Sequence, residues 1–188
     1  MIEDKKIIEG CLKHDRIAQQ WLFDKYSRQM LAWCMRYAGS REEAEDILQE
    51  ALVRVYFNID EYAGRGSFAG WLRRIVVNAA ITHYHRNLKY RHQVNIDDYK
   101  VADSSFMDDD DCQFTSDELM GVLNELPPGF RMIFNLYAIE GYKHKEIAKQ
   151  LNIDQGTSKS QYSRAKALIR AKLDKLAMEK RKPPTEKE

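Results

Sequence analysis

The chain is poor in the features that would make it a secreted, fibrous or membrane-spanning protein. Of 188 residues only three are Cys, at 11, 34 and 112, widely spaced and without a CxxC pair. That excludes a disulfide framework or a Cys-based zinc site and fits reduced thiols in a cytoplasmic protein. Only four residues are Pro and nine are Gly, too few for a low-complexity or collagen-like chain. No apolar run approaches the roughly 18 residues of a membrane span. The beginning, MIEDKKIIEGCLK, lacks the apolar stretch of a secretory signal. No period-two alternation with turn punctuation is sustained, so no sheet is expected.

The most informative absence is local. From Tyr62 to Ile96 there is no Asp or Glu, although the chain carries 29 acidic residues. The same window holds Arg65, Arg73, Arg74, Arg86, Lys89 and Arg91, with His83, His85 and His92. A solvated helix face normally mixes both signs, so an acid-free window points to a polyanion. The formal net charge of +1 conceals four blocks: −3 over 1–61, +6 over 62–95, −9 over 96–140 and +7 over 141–188. Two basic blocks separated by an acidic one suggest two places that meet phosphate.

What is present is helical periodicity with helix punctuation. Ser40-Arg-Glu-Glu43 and Thr115-Ser-Asp-Glu118 read as capping boxes, and Pro127–Pro128 suits a helix start. Periodicity fails in VNIDDYKVADSSFMDDDDCQ, which is polar and acidic and reads as a flexible linker reaching roughly 65 Å when stretched. The expected architecture is therefore all-α: two small helical domains, 1–92 and 114–178, joined by an acidic linker over 93–113, with a disordered tail over 179–188.

EGYKHKEIAKQLNIDQGTSKSQYSRAKALIRAKL has a short helix, the turn Asn152-Ile153-Asp154, and a second helix opening at Gln155. That is the layout of a helix-turn-helix, whose second helix enters the DNA major groove. Tyr162, Ala165, Ile169 and Leu173 would pack inward. Gly156, Thr157, Lys159, Ser160, Gln161, Ser163, Arg164 and Lys166 would supply donors to phosphates and base edges. The competing reading is an amphipathic hairpin with a solvated basic face.

In SREEAEDILQEALVRVYFNIDEY, Ala44, Ile47, Leu48, Ala51 and Val55 form a core stripe. The opposite side gathers Asp46, Gln49, Glu50, Val53 and Phe57. Polar groups beside Val and Phe, away from the core, make a candidate protein-binding strip unless another helix covers them. In FAGWLRRIVVNAAITHYHRN, Phe68, Trp71, Leu72, Ile75, Ala79 and Thr82 share one face. Arg73, Arg74, Asn78 and Tyr84 fall away from it, with Val77 and Ile81 among them. Aromatics beside the Gly-containing loop from Tyr62 to Ser67 suit the holding of splayed single-stranded bases. The His residues have no partner at metal spacing, so no metal site is expected. No catalytic triad, phosphate-cradling loop or paired carboxylates stands out, so neither an enzyme nor a cofactor is expected. A stand-alone DNA-binding regulator and a helical adaptor are the alternatives that these residues leave open.

In this order, these stretches resemble the sigma-70 family of bacterial transcription initiation factors, in its extracytoplasmic-function (ECF) group. AEDILQEALVRVY looks like the family's region 2.2 helix, GSFAGWLRRIVVNAA like regions 2.3 to 2.4, and LPPGFRMIFNLYAIEGYKHKEIAKQLNIDQGTSKSQYSRAKAL like region 4. The resemblance implies that Asp46, Gln49, Glu50 and Val53 dock on a coiled coil in the largest subunit of RNA polymerase. It implies that Tyr62, Arg65, Ser67, Phe68, Arg73, Arg74 and Asn78 capture the non-template strand of the −10 element as the duplex melts. The helix from Gln155 would read the −35 duplex, with Lys143, His144 and Lys145 on backbone phosphates. The linker, with Asp108 to Asp111, would thread polymerase channels, and a membrane-bound anti-sigma factor is an implied partner. Where many relatives have Val, Arg and Leu, this chain has Ser158, Gln161 and Tyr162. That departure bears on −35 specificity.

Overall fold

The computed structural model describes residues 3–88 and 114–181. The chain divides into two compact units, one on each side of the residues between. The acidic linker, Lys89, Arg91 and His92 of the acid-free window, and residues 182–188 lie outside the described residues. Both units are helical, and no strand occurs among the described residues.

The first unit begins with α1 (Asp4–Leu12) and α2 (Arg16–Met35). Asp15 starts α2: its side chain accepts the Ile17 N–H at 2.9 Å and so satisfies one of the unpaired donors of the first turn. α1 lies close to α2 because Gly10 has no side chain; a Cβ there would stand 2.3 Å from that of Ala18. Asp4 ties the two together, accepting from Lys25 Nζ at 2.7 Å and from the Tyr26 hydroxyl at 2.6 Å. α3 (Arg41–Phe57) follows, with Ser40 accepting the Glu43 N–H at 3.2 Å. The Glu43 carboxylate reaches back to the Gly39 N–H at 2.6 Å, one residue before the expected box position. A 3-10 turn, Ile59–Glu61, and a short loop lead to α4 (Phe68–Leu88).

α2, α3 and α4 pack on one another in pairs. Their shared core is built from Leu22, Met30, Ile47, Val55, Leu72 and Val76, all essentially without exposure. Burying each such side chain contributes about 1.5–3 kcal/mol. α4 faces both α2 and α3, so its buried arc is wider than one stripe. Val77 and Ile81, expected among its outward residues, are buried along with Ala79 and Ala80.

The second unit comprises α5 (Ser116–Asn124), α6 (Pro128–Phe134), a π-helical turn over Asn135–Ile139, α7 (His144–Leu151) and α8 (Gln155–Arg181). The Thr115/Glu118 capping box forms as read, and Pro128 opens α6. Leu126, Phe130 and Ala165 centre the core, flanked by Leu123, Phe134, Leu168 and Ile169. α8 runs three residues past the expected end at 178. Its far half is held to α5 by Lys180 on Glu118 at 2.8 Å and to Glu125, just past the end of α5, by Lys172.

Candidate nucleic-acid and partner interfaces

The outward strip of α3 is bare within its unit. Asp46 and Gln49 are exposed, Val53 is 53% exposed and Phe57 79%. No helix of that unit covers the two apolar side chains. Glu50 differs from its neighbours in the strip. Its carboxylate pairs with Arg54 one turn on, at 2.5 Å, and with Arg86 of α4. Arg54 also donates to the Thr82 hydroxyl at 3.0 Å. His83 and Asn87 of α4 each lie 3.2 Å from Glu43 Oε1. Arg86 of the acid-free window is thus neutralised by a carboxylate of α3, and a second carboxylate faces His83 and Asn87, which linear sequence could not reveal.

The loop between Tyr62 and Ser67 turns on two glycines in the left-handed region, Gly64 (φ 69°) and Gly66 (φ 80°). Neither conformation suits a side chain. The Tyr62 hydroxyl closes the loop by donating to the Gly66 carbonyl at 3.0 Å. Ser67 begins α4, its hydroxyl accepting the Gly70 N–H at 3.1 Å, so this expected DNA contact already serves as a helix cap.

Four aromatic rings meet at the loop. Phe68 lies near-parallel to Trp71 at 5.6 Å between centroids, with Tyr62 edge-on at 5.2 Å and Tyr26 at 5.6 Å. Phe68, expected as a base contact, is only 3% exposed in the free chain, and its ring is a foundation for Tyr62 and Trp71. Those two are half-buried and keep a face toward solvent. Arg65, Arg74 and Asn78 are exposed, while Arg73 is half-buried. The accessible set is therefore Tyr62, Arg65, Ser67, Trp71, Arg73, Arg74 and Asn78, of which Tyr62, Trp71 and Arg73 are half-buried.

In the second unit, α7 ends at Asn152 in the left-handed conformation (φ 54°), and α8 starts three residues later, the expected helix-turn-helix. Lys143 and Lys145 are exposed at the start of α7, and the Lys143 N–H donates to Glu146 Oε2 at 2.7 Å. Gly156, Lys159, Ser160, Ser163 and Lys166 are exposed along α8, with Thr157 and Arg164 half-buried. Gln161, expected to read a base, is only 7% exposed in the free chain and sits on the same side of the helix as Ser158 and Ala165, both fully buried.

His144 is not a simple surface cation. Its Nδ1 lies 2.9 Å from Ser158 Oγ, and its ring stacks on Tyr137 at 4.2 Å and 15°. Burial, and then the nearby Lys159 charge, push its pKa below the ordinary histidine value. Tyr162 completes the cluster at 4.5 Å from Tyr137, with Lys166 Nζ 5.0 Å from its own ring. Tyr137 escaped the sequence reading; it lies in the π-helical turn Asn135–Ile139, which periodicity did not reveal. The one available signal was a Tyr set between apolar neighbours at the end of a helical run.

Comparison with known proteins follows the same division. A model of sigma-70 region 2 matches residues 22–89, and a model of sigma-70 region 4 matches residues 116–169. The ECF RNA polymerase sigma factor SigW of Bacillus subtilis is 31% identical over 182 residues, covering 90% of this chain and 96% of the relative. The RNA polymerase sigma-H factor of Pseudomonas aeruginosa is 27% identical, covering 94% and 97%. The ECF sigma factor SigE of Mycolicibacterium smegmatis is 31% identical over 77% of this chain, a match that spans 57% of that longer protein. Among solved structures, the sigma factor RpoE of Bartonella quintana in complex with the anti-sigma factor NepR aligns with a TM-score of 0.49 at 17% identity. That alignment covers 82% of this chain and 96% of the other.

Proposed function

The chain belongs to the sigma-70 family of RNA polymerase sigma factors, in its ECF group, and from that membership we propose that it directs RNA polymerase core to specific promoters and assists their melting. The observation that carries this reading is the correspondence of two family regions to two separately built units, each with an accessible surface of suitable chemistry. Asp46, Gln49, Val53 and Phe57 form the face for the coiled coil of the polymerase's largest subunit. Tyr62, Arg65, Trp71, Arg74 and Asn78 hold the −10 non-template strand. α8, with Lys159, Ser160, Arg164 and Lys166, reads the −35 duplex, while Lys143, His144 and Lys145 approach its phosphates. The protein acts by binding, without bond chemistry of its own, in the bacterial cytoplasm where polymerase and promoter are found. An anti-sigma factor, membrane-bound or soluble, is the regulatory partner this reading expects.

The mechanism is differential binding. Opening a promoter costs a few kcal/mol per extruded base, and stacking a splayed base on an aromatic side chain returns about 1–3 kcal/mol. Tyr62 and Trp71 are fixed by Phe68 beneath them, so little ordering cost falls at the moment of capture. Run-off transcription with core polymerase on a genomic promoter library tests the reading. Promoter-specific transcripts above core alone support it, and their absence refutes it. A stand-alone DNA-binding regulator would instead shift duplex DNA equally well with and without core.

A further inference from the structure

Ser158 faces the core of the second unit with no exposure at all, yet it carries a hydroxyl. Its Oγ has one side-chain partner, His144 Nδ1 at 2.9 Å. A buried hydroxyl needs an acceptor for its proton, because leaving a donor unpaired in a core costs about 1–3 kcal/mol. Nδ1 is the acceptor within reach. The imidazole therefore carries its own proton on Nε2. The His144 side chain is half-buried and makes no other hydrogen bond among the described residues, which leaves Nε2 without a partner there.

The surroundings keep the ring neutral and still. Tyr137 of the π-helical turn stacks on one face, and Tyr162 of α8 meets the ring edge-on at 5.7 Å. The charged neighbours are Lys159 on α8, Lys143 and Lys145 to either side in sequence, and Glu146, whose carboxylate is taken by the Lys143 N–H. Protonating the ring would turn Nδ1 into a donor and strand the Ser158 proton without an acceptor. Burial and the Lys159 charge oppose the same protonation.

We propose that Ser158 is a positioning residue for duplex recognition, holding His144 in the Nε2–H tautomer so that this neutral donor bonds a backbone phosphate between the cations Lys143 and Lys145. The inference rests on the promoter-binding reading above and adds the group that sets the donor. It also gives the Ser at this core position a role that an apolar residue could not fill. Because the donor is neutral, it fixes register on the backbone without displacing a counterion.

The test uses the full-length chain and the holoenzyme built from it. Long-range 1H–15N spectra of 15N-histidine-labelled protein at pH 7.5, assigned with His144→Phe, should show Nε2 protonated and Nδ1 unprotonated. The reverse pattern overturns the inference without any variant needing to fold. Holoenzyme affinity for a duplex promoter taken from the run-off set should fall about 5-fold in His144→Phe and in Ser158→Ala, as for loss of one neutral hydrogen bond. The double variant should be no worse than His144→Phe alone, since Ser158 acts only through the ring. Ser158→Thr, which keeps the hydroxyl, should restore affinity to within about twofold. The slope of log K against log salt should be unchanged in His144→Phe, whereas Lys143→Ala should reduce it by about 0.9. Additive losses, an unaffected Ser158→Ala, or a reduced slope in His144→Phe each overturn the proposal. Absence of promoter binding by the unsubstituted holoenzyme refutes the promoter reading itself. Intact binding with uncoupled Ser158 and His144 refutes only this inference.

Discussion

Phe57 offers a direct test of the α3 face. Its ring is 79% exposed at the last position of α3, beside Val53 at 53%, and none of the described residues of its unit covers it. Burying a whole Phe side chain is worth about 1.5–3 kcal/mol. Covering most of this one with polymerase therefore contributes about 2 kcal/mol, or roughly 30-fold in Kd. Phe57→Ser should cost that affinity while leaving the midpoint of urea unfolding unchanged, because an exposed side chain stabilises the free protein little. Titration of labelled protein with core polymerase reads the Kd. Glu50→Gln is the internal contrast. Its carboxylate is engaged with Arg54 and Arg86, so the loss should fall on stability and only slightly on docking. An unchanged Kd for Phe57→Ser, or a Glu50→Gln defect in docking alone, would sink the assignment of this face.

Arg74→Ala with Asn78→Ala, both exposed on α4, should spare core binding and stability yet lower permanganate reactivity of the promoter bubble several-fold; normal reactivity refutes a strand-holding role. Asn152 holds a left-handed conformation (φ 54°), so Asn152→Val should destabilise the second unit by about 1–2 kcal/mol in urea unfolding, while Asn152→Gly stays within about 0.5 kcal/mol. Burial pushes the Asp4 carboxyl up, but the hydrogen bonds from Lys25 and Tyr26, with the Lys25 charge, more than offset it and hold its pKa below the ordinary value. A depressed carboxylate stabilises the fold above its unfolded pKa, and that contribution is lost as pH falls through the folded one. Asp4→Asn should therefore lower the Tm at pH 7 by the equivalent of about 0.5 kcal/mol, the group being part-exposed, and the difference should shrink as pH falls through the folded pKa.

What the sequence disclosed, and what it withheld, follows from the range of the forces involved. Caps, the helix-turn-helix spacing and the outward strip of α3 depend on residues within one or two turns, so periodicity and local chemistry exposed them. α4 shows where that reasoning stops. A single-stripe wheel places Val77 and Ile81 outside, but a helix wedged between α2 and α3 buries both, and the number of packing partners is not written in any one helix. Charge behaves likewise. The acid-free window is real along the chain, yet in space Glu43 and Glu50 stand against its histidine and arginine residues. The exposed basic surface is accordingly narrower than composition implies, with Arg65, Arg74 and neighbouring Asn78 exposed. The substitutions at 158 and 161 carry the point furthest. Residue identity suggested that Gln161 could read a base and that Ser158 faces the core, whereas both side chains are buried in the second unit. Gln161 lies with them on the inner side of α8, and the hydrogen-bonding capacity of Ser158 is spent on His144. On the proposal above, any effect of Ser158 on promoter choice passes through the imidazole, and the accessible side chains of this stretch are exposed Lys159, Ser160 and Lys166 with half-buried Arg164.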